Sequence, residues 1–174
     1  MTAGSWSAGT RACCWAASPA PPPAEEVSMS DIEDIIQLKN LYWHFNDTGL
    51  RGDMIAPLFT EDGIWSNAEL GHYEGRDAIR TFFNGASAVL PFCAHLGMNP
   101  VITVDGDKAH GIWRAILLGT FMEEGTAVSR QILIDYRDRY VRQGGRWLIQ
   151  ELDILFNFNI PVGEAWAGRT VTRP

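Results

Sequence analysis

From residue 35 onward, apolar side chains recur at helical spacing: Ile35, Leu38, Tyr42 and Phe45. Ser30 stands where a helix N-cap belongs, and Glu33 follows three residues later, as in a capping box. Asp31, Glu33 and Asp34 place negative charge in the first turn, where the helix dipole favours it. The helix is expected to end near Thr48-Gly49, with Gly49 as its C-terminal cap. Met54 to Phe59 reads as a short second helix and Ile64 to Ser66 as a short strand. Arg76 to Phe83 reads as a third helix, with Ile79, Phe82 and Phe83 on its inner side.

Beyond that point the period changes. Leu96 to Val104 reads as a strand, followed by the turn signal Asp105-Gly106-Asp107. Ala109 to Met122 is a long strand closing at Glu123-Glu124-Gly125. Val128 to Arg142 alternates, with Ile132, Ile134, Tyr136, Asp138 and Tyr140 on one face. Gln143-Gly144-Gly145 is the next hairpin, and Arg146 to Phe156 the last strand. Helices first and antiparallel strands after predict an α+β fold. Three strands this long predict a strongly curved sheet, because long flat sheets are unusual.

Composition adds limits. Seventeen of residues 1–28 are Ala, Pro, Ser or Gly, too little apolar surface to offset chain entropy. These residues are expected to be a disordered tail and make a poor signal peptide, with Met29 as a plausible start. The folded domain is then 29–160, followed by a C-terminal tail, 161–174. Against 21 Asp+Glu there are only 14 Lys+Arg, a net charge of −7, and no basic stripe for nucleic acid. No stretch of roughly 18 or more apolar residues exists, so no membrane helix is expected, and the chain is placed in the cytoplasm. Three cysteines make no disulfide framework. His72, His95 and His110 do not fall at metal-ligand spacing, so no metal is predicted. Neither GxGxxG nor a Walker motif occurs, so no nucleotide or other cofactor is predicted.

Three stretches resemble a known family. His72-Tyr73-Glu74-Gly75-Arg76-Asp77-Ala78-Ile79 resembles the Y-x-G-R-x-x-I stretch of the SnoaL-like group in the NTF2-like superfamily. His95 to Ile102, with Val104-Asp105-Gly106-Asp107, resembles that group's H-x-x-x-N-x-x-I-x-V-D-G-D segment. Tyr136 to Arg142, with Gly145-Arg146-Trp147, resembles its Y-x-D-x-x-x-R-x-x-G-x-W ending. The resemblance spans about residues 30 to 160. It implies an NTF2-like cone, with helices closing one side of a curved sheet around a deep apolar pocket. Scytalone dehydratase and bile acid 7α-dehydratase in that superfamily use an Asp–His pair, whose places Asp47 and His95 occupy here. Tyr42 matches a tyrosine of the bile acid enzyme. A second active-site histidine or carboxylate of these enzymes has no counterpart, since Leu117 or Leu118 stands near that position.

The residues themselves suit this chemistry. An Asp at a helix C-terminus is electrostatically unfavourable: either a histidinium or hydrogen-bonded imidazole compensates it, or it is a solvated turn residue in Asp47-Thr48-Gly49. A carboxylate that accepts the Nδ1 proton fixes the tautomer and raises the basicity of the other nitrogen. Tyr42 and Tyr136 are candidate donors to an enolate oxygen, or plain core residues with satisfied hydroxyls. Trp65, Trp113 and Phe92 are candidate substrate-binding aromatics, in a pocket suited to a small hydrophobic substrate. Asp138 faces the same side as Tyr136, where an inward carboxylate needs a partner. It is either part of the site or at a wet strand end beside an arginine. The leading expectation is a cofactor-independent dehydratase with Asp47, His95 and Tyr42 as catalytic residues. Alternatives are an isomerase or polyketide-type cyclase using the same pair, or the non-catalytic small subunit of a ring-hydroxylating dioxygenase. A homodimer or homotrimer is expected, joined through apolar residues left on the convex face.

Overall fold

The computed structural model describes residues 30–163, so the expected N-terminal tail, the Met29 start and most of the C-terminal tail lie outside the described residues. Helix α1 (Asp31–Asp47) begins in a complete capping box: the Ser30 backbone N–H donates to Glu33 Oε2 at 2.8 Å, and the Glu33 N–H donates to Ser30 Oγ at 3.3 Å. Such a cap is worth about 1 kcal/mol. Thr48 ends the helix, and Gly49 follows at φ +115°, in the left-handed region that favours glycine. One face of α1 buries Ile35, Leu38, Lys39, Tyr42, Trp43 and Asn46.

A short α2 (Gly52–Ile55) and a 3₁₀ turn (Ala56–Leu58) lead into β1 (Phe59–Asn67). Next come β2 (Gly71–Glu74), α3 (Arg76–Ala86), β3 (Phe92–Asp105), β4 (Lys108–Glu123), β5 (Thr126–Gln143) and β6 (Arg146–Pro161). They form one sheet in the order β2-β1-β6-β5-β4-β3. All neighbours are antiparallel except β1 and β6, which run parallel. The alternation in β5 is as expected: Ile132, Ile134, Tyr136, Asp138 and Tyr140 are all buried on the inner face.

Several boundaries differ from expectation. Phe59 opens β1 instead of closing the second helix, and β1 is longer than Ile64 to Ser66, with a register shift between Phe59 and Ile64. Strand β2 was not anticipated, because it is short, mostly exposed and without apolar alternation. It is reached through an Asx turn in which Asn67 Oδ1 accepts the backbone N–H groups of Glu69 and Leu70, each at 2.9 Å. Strand β3 starts at Phe92, so His95 lies inside it. Strand β6 runs past Phe156 to Pro161, because a bulge opposite Leu133/Ile134 breaks the alternation that a sequence reader follows.

Helix α1 lies against β3 at very close range. A Cβ on Gly97 would fall 2.1 Å from the Trp43 ring, so only glycine admits that indole. Outward on β3 and β4, Leu96, Val101, Ile112 and Leu118 remain exposed. Gly97→Ala should cost about 1–3 kcal/mol through overpacking. Thermal melting should fall by about 2–4 °C per kcal/mol at this chain length. An unchanged melting temperature would show that Trp43 has freedom to withdraw.

Candidate active site

The end of α1 meets the beginning of β3. Asp47 Oδ1 lies 2.6 Å from His95 Nδ1, and Oδ2 accepts the backbone N–H of His95 at 2.9 Å. One carboxylate thus grips both the ring and the backbone of one histidine. Burial pushes the Asp47 carboxyl up, but the His95 hydrogen bonds outweigh it and hold the group below its ordinary value. An ionised Asp47 can only accept, so Nδ1 carries the proton and Nε2 is the free nitrogen. The imidazole is 6% exposed and the carboxylate 27%. Trp43 stacks on His95 with ring centroids 6.5 Å apart and planes 21° from parallel.

His95 lines a cavity of about 250 Å³ together with Tyr42, Asn46, Trp65 and Tyr136, the rest of the wall being apolar. The Trp65 indole N–H donates to the Tyr42 hydroxyl at 2.9 Å, which leaves the phenol proton free to donate. Burial, above all, pushes both phenols up, so they stay neutral donors. Leu117 pairs directly across from His95 in the sheet and also lines the cavity.

Of the eight predicted site residues, Asp47 and His95 meet as a pair, and Tyr42, Tyr136 and Trp65 share the cavity wall with His95. The other three stand elsewhere. Phe92 is 56% exposed, because the alternation that turns Cys93 and His95 inward turns Phe92 out. Trp113 is buried away from the cavity, edge-on to Trp43 at 5.6 Å, with its N–H on the Tyr140 hydroxyl at 3.0 Å. Asp138 points inward but touches neither the cavity nor an arginine. It accepts from Lys39 Nζ at 2.7 Å and from the Tyr140 hydroxyl at 2.6 Å. Arg114 pairs with Asp135, Oδ1 at 2.7 Å.

Sequence reasoning missed Lys39, Asn46 and Cys93. The signal for Lys39 was its place on the apolar stripe, one turn after Ile35 and one before Tyr42 and Trp43. The Asn46 amide donates to the Tyr42 carbonyl at 2.7 Å. Cys93 Sγ lies 3.4 Å from the Asn46 carbonyl oxygen, and burial together with the Asp47 charge pushes its thiol up to about 12. Asp47, Cys93 and His95 bring one possible ligand atom each within 4.8 Å of one another. The expectation of no metal did not foresee this cluster. In this arrangement the Asp47 carboxylate is engaged by the His95 ring and backbone.

A second concavity, about 410 Å³, is lined by Asp62, Glu74, Lys108, His110, Arg139 and Glu151 among others, and its charges are of both signs. Among the described residues, no helix is long and apolar enough to cross a membrane.

Three helices on a six-stranded, mostly antiparallel sheet, with an Asp–His pair at an apolar cavity, define an NTF2-like α+β fold. Residues 27–153 match the SnoaL-like domain, and the chain belongs to that family. Among solved structures, it is similar to the hexachlorocyclohexane dehydrochlorinase LinA-type3 of Novosphingobium barchaimii LL02. The TM-score there is 0.68 at 23% identity, over 82% of this chain and 94% of that one. A protein of Novosphingobium aromaticivorans DSM 12444, provisionally designated a scytalone dehydratase, gives 0.67 at 20% identity, over 78% and 95%. Another from Novosphingobium aromaticivorans, provisionally designated an aromatic ring hydroxylase, gives 0.66 at 26%, over 77% and 96%. No curated protein matches the chain.

The Asp47 carboxyl binds fewer protons folded than unfolded around its ordinary value. Its stabilisation is complete above 3.8 and is lost as the pH falls through the lower folded value. Wild type should therefore exceed Asp47→Asn in stability near neutral pH, and the gap should narrow below 3.8 in denaturant unfolding across a pH series. A gap that stays constant would mean that the carboxylate charge adds nothing.

Proposed function

We propose that this protein is a cofactor-independent lyase that dehydrates a small, neutral, hydrophobic hydroxy-carbonyl compound. The observation that carries the reading is the imidazole of His95, clamped by Asp47 through ring and backbone and placed in the wall of an apolar cavity. Nε2 takes the proton from the carbon beside the carbonyl. Tyr42 or Tyr136 donates a hydrogen bond to the developing enolate oxygen. The electron pair then forms the double bond as the carbon–oxygen bond breaks, and the imidazolium delivers its proton to the departing hydroxyl, releasing water. Similarity to proteins named for elimination reactions supports the same class.

Leu117 stands across from His95, so this cavity wall supplies no second acid there. One group serving as both base and acid requires the proton and the hydroxyl on the same face of the substrate, which makes the elimination syn. The same observation favours an isomerase as second reading, since one base suffices to move a proton between two carbons. Among the described residues, the lining holds no lysine or arginine, which disfavours substrates carrying phosphate or carboxylate.

The test is a panel of neutral β-hydroxy ketones, followed by the absorbance of the enone formed. His95→Ala and Asp47→Asn should each slow turnover by about 10²–10⁴. The double variant should be little worse than the worse single one, because the pair acts as a unit. Tyr42→Phe should cost about 10²–10³ if its phenol holds the enolate oxygen. Wild-type turnover by His95→Ala would end the lyase reading.

We also propose that a second copy of the chain covers the outer face of β3 and β4, where Leu96, Ile112 and Leu118 stand exposed. Light scattering should then give a multiple of 19.3 kDa, reduced to a monomer by Leu118→Glu. A monomeric wild type at micromolar concentration would sink this assignment.

A further inference from the structure

Lys39 and Asp138 are both without solvent exposure at their side chains, and the ion pair between them spans 2.7 Å. Lys39 Nζ also sits 3.8 Å from the Tyr136 ring centroid, 5.2 Å from that of Tyr42 and 5.4 Å from that of Trp43. The ammonium is thus enclosed by three aromatic rings and capped by one carboxylate. Behind Asp138 the chain of bonds continues through the Tyr140 hydroxyl to the Trp113 indole.

The three rings around this cation are the ones that shape the site. Tyr42 and Tyr136 line the cavity, and Trp43 stacks on His95. Lys39 lies on the same helix as Tyr42 and Asp47, about one and two turns upstream. A slide or roll of α1 would strand Asp138 without its cation in an apolar interior, a penalty that an apolar contact in the same place would not impose. Burial drives Lys39 down to about 8 and Asp138 up, so desolvation outweighs their mutual attraction. Such a pair adds little net stability, and its value lies in specifying one arrangement.

We propose that Lys39 and Asp138 are positioning residues that set the register of α1 on β5, and through it the placement of Asp47 against His95 and of the two tyrosines. This rests on the acid/base reading of His95 given above. The pair touches no substrate, and it acts through the helix and the rings.

The experiment replaces both charges at once, as Lys39→Met with Asp138→Leu, so that neither is left buried alone. The double variant should melt at or above the wild-type temperature. In nitrogen-15 and proton NMR, the His95 Nδ1 proton should lose the downfield, slowly exchanging signal of a hydrogen bond to a carboxylate. On a ketone that the wild type turns over, kcat should fall by about tenfold to a hundredfold with KM little changed, as for misplacement of a catalytic group. A folded double variant with the wild-type His95 signal and kcat would overturn the proposal. If the double variant fails to fold, Tyr140→Phe removes one of the two bonds to Asp138 and should weaken the His95 signal in the same direction. An unchanged signal there overturns it equally. The NMR readout needs no substrate, so an absence of turnover in the wild type would end the lyase reading while leaving this proposal decided on its own.

Discussion

Helix α1 crosses the inner face of a curved sheet, and its placement decides whether the site exists. Polar bonds hold it at three heights. At its start, Asp31 accepts from Arg142 at 2.8 Å and from the Trp147 indole at 3.1 Å. In the middle, Lys39 reaches Asp138, and at its end Asp47 grips His95. Apolar burial drives the helix onto the sheet but tolerates small slides, because it is non-directional. The polar bonds admit one register. Trp43 adds a steric limit, since its indole fits only over Gly97.

The three tethers differ in what surrounds them. Asp31 and Arg142 are partly exposed, so water screens the attraction and the pair contributes little beyond orientation. Lys39 and Asp138 are sealed, so screening is absent and the penalty for separating them is large. The Asp47–His95 contact lies between these limits. Structural demands and those of the proposed chemistry therefore meet on one helix face. The stripe that should carry only apolar side chains carries a lysine, an asparagine and, at its end, an aspartate.

Much of this was legible in sequence. The capping box, the helix end at Thr48-Gly49 and the inner face of β5 follow from local spacing, and the structure has each of them. The pairing of Asp47 with His95 was legible only through the family resemblance, since 48 residues separate them. Lys39 and Asp138 are 99 residues apart, and nothing local announces a partner at that range. Phe92 and Trp113 show only their aromatic character in sequence, whereas strand parity and the position of Trp43 decide where they point. Short β2 buries little, and the bulge in β6 reverses the alternation beyond Phe156, so neither β2 nor the end of β6 leaves the periodic trace that marks a strand.

The asymmetry of the Asp47–His95 pair is what the proposed base needs in an apolar cavity. A lone imidazolium facing that wall would be costly, because little in the lining compensates charge. Asp47 supplies the compensation from behind. Its carboxylate keeps more contact with solvent than the ring it holds, so it stays ionised at modest cost. The ring then faces the less polar surroundings, where hydrogen bonds and attraction across 2.6 Å count for more. In the proposed reaction, the proton taken up by His95 is stabilised by a charge that stands behind the ring, away from the cavity. The ring is the more buried member of the pair and the carboxylate the more exposed, and the end of α1 divides the two.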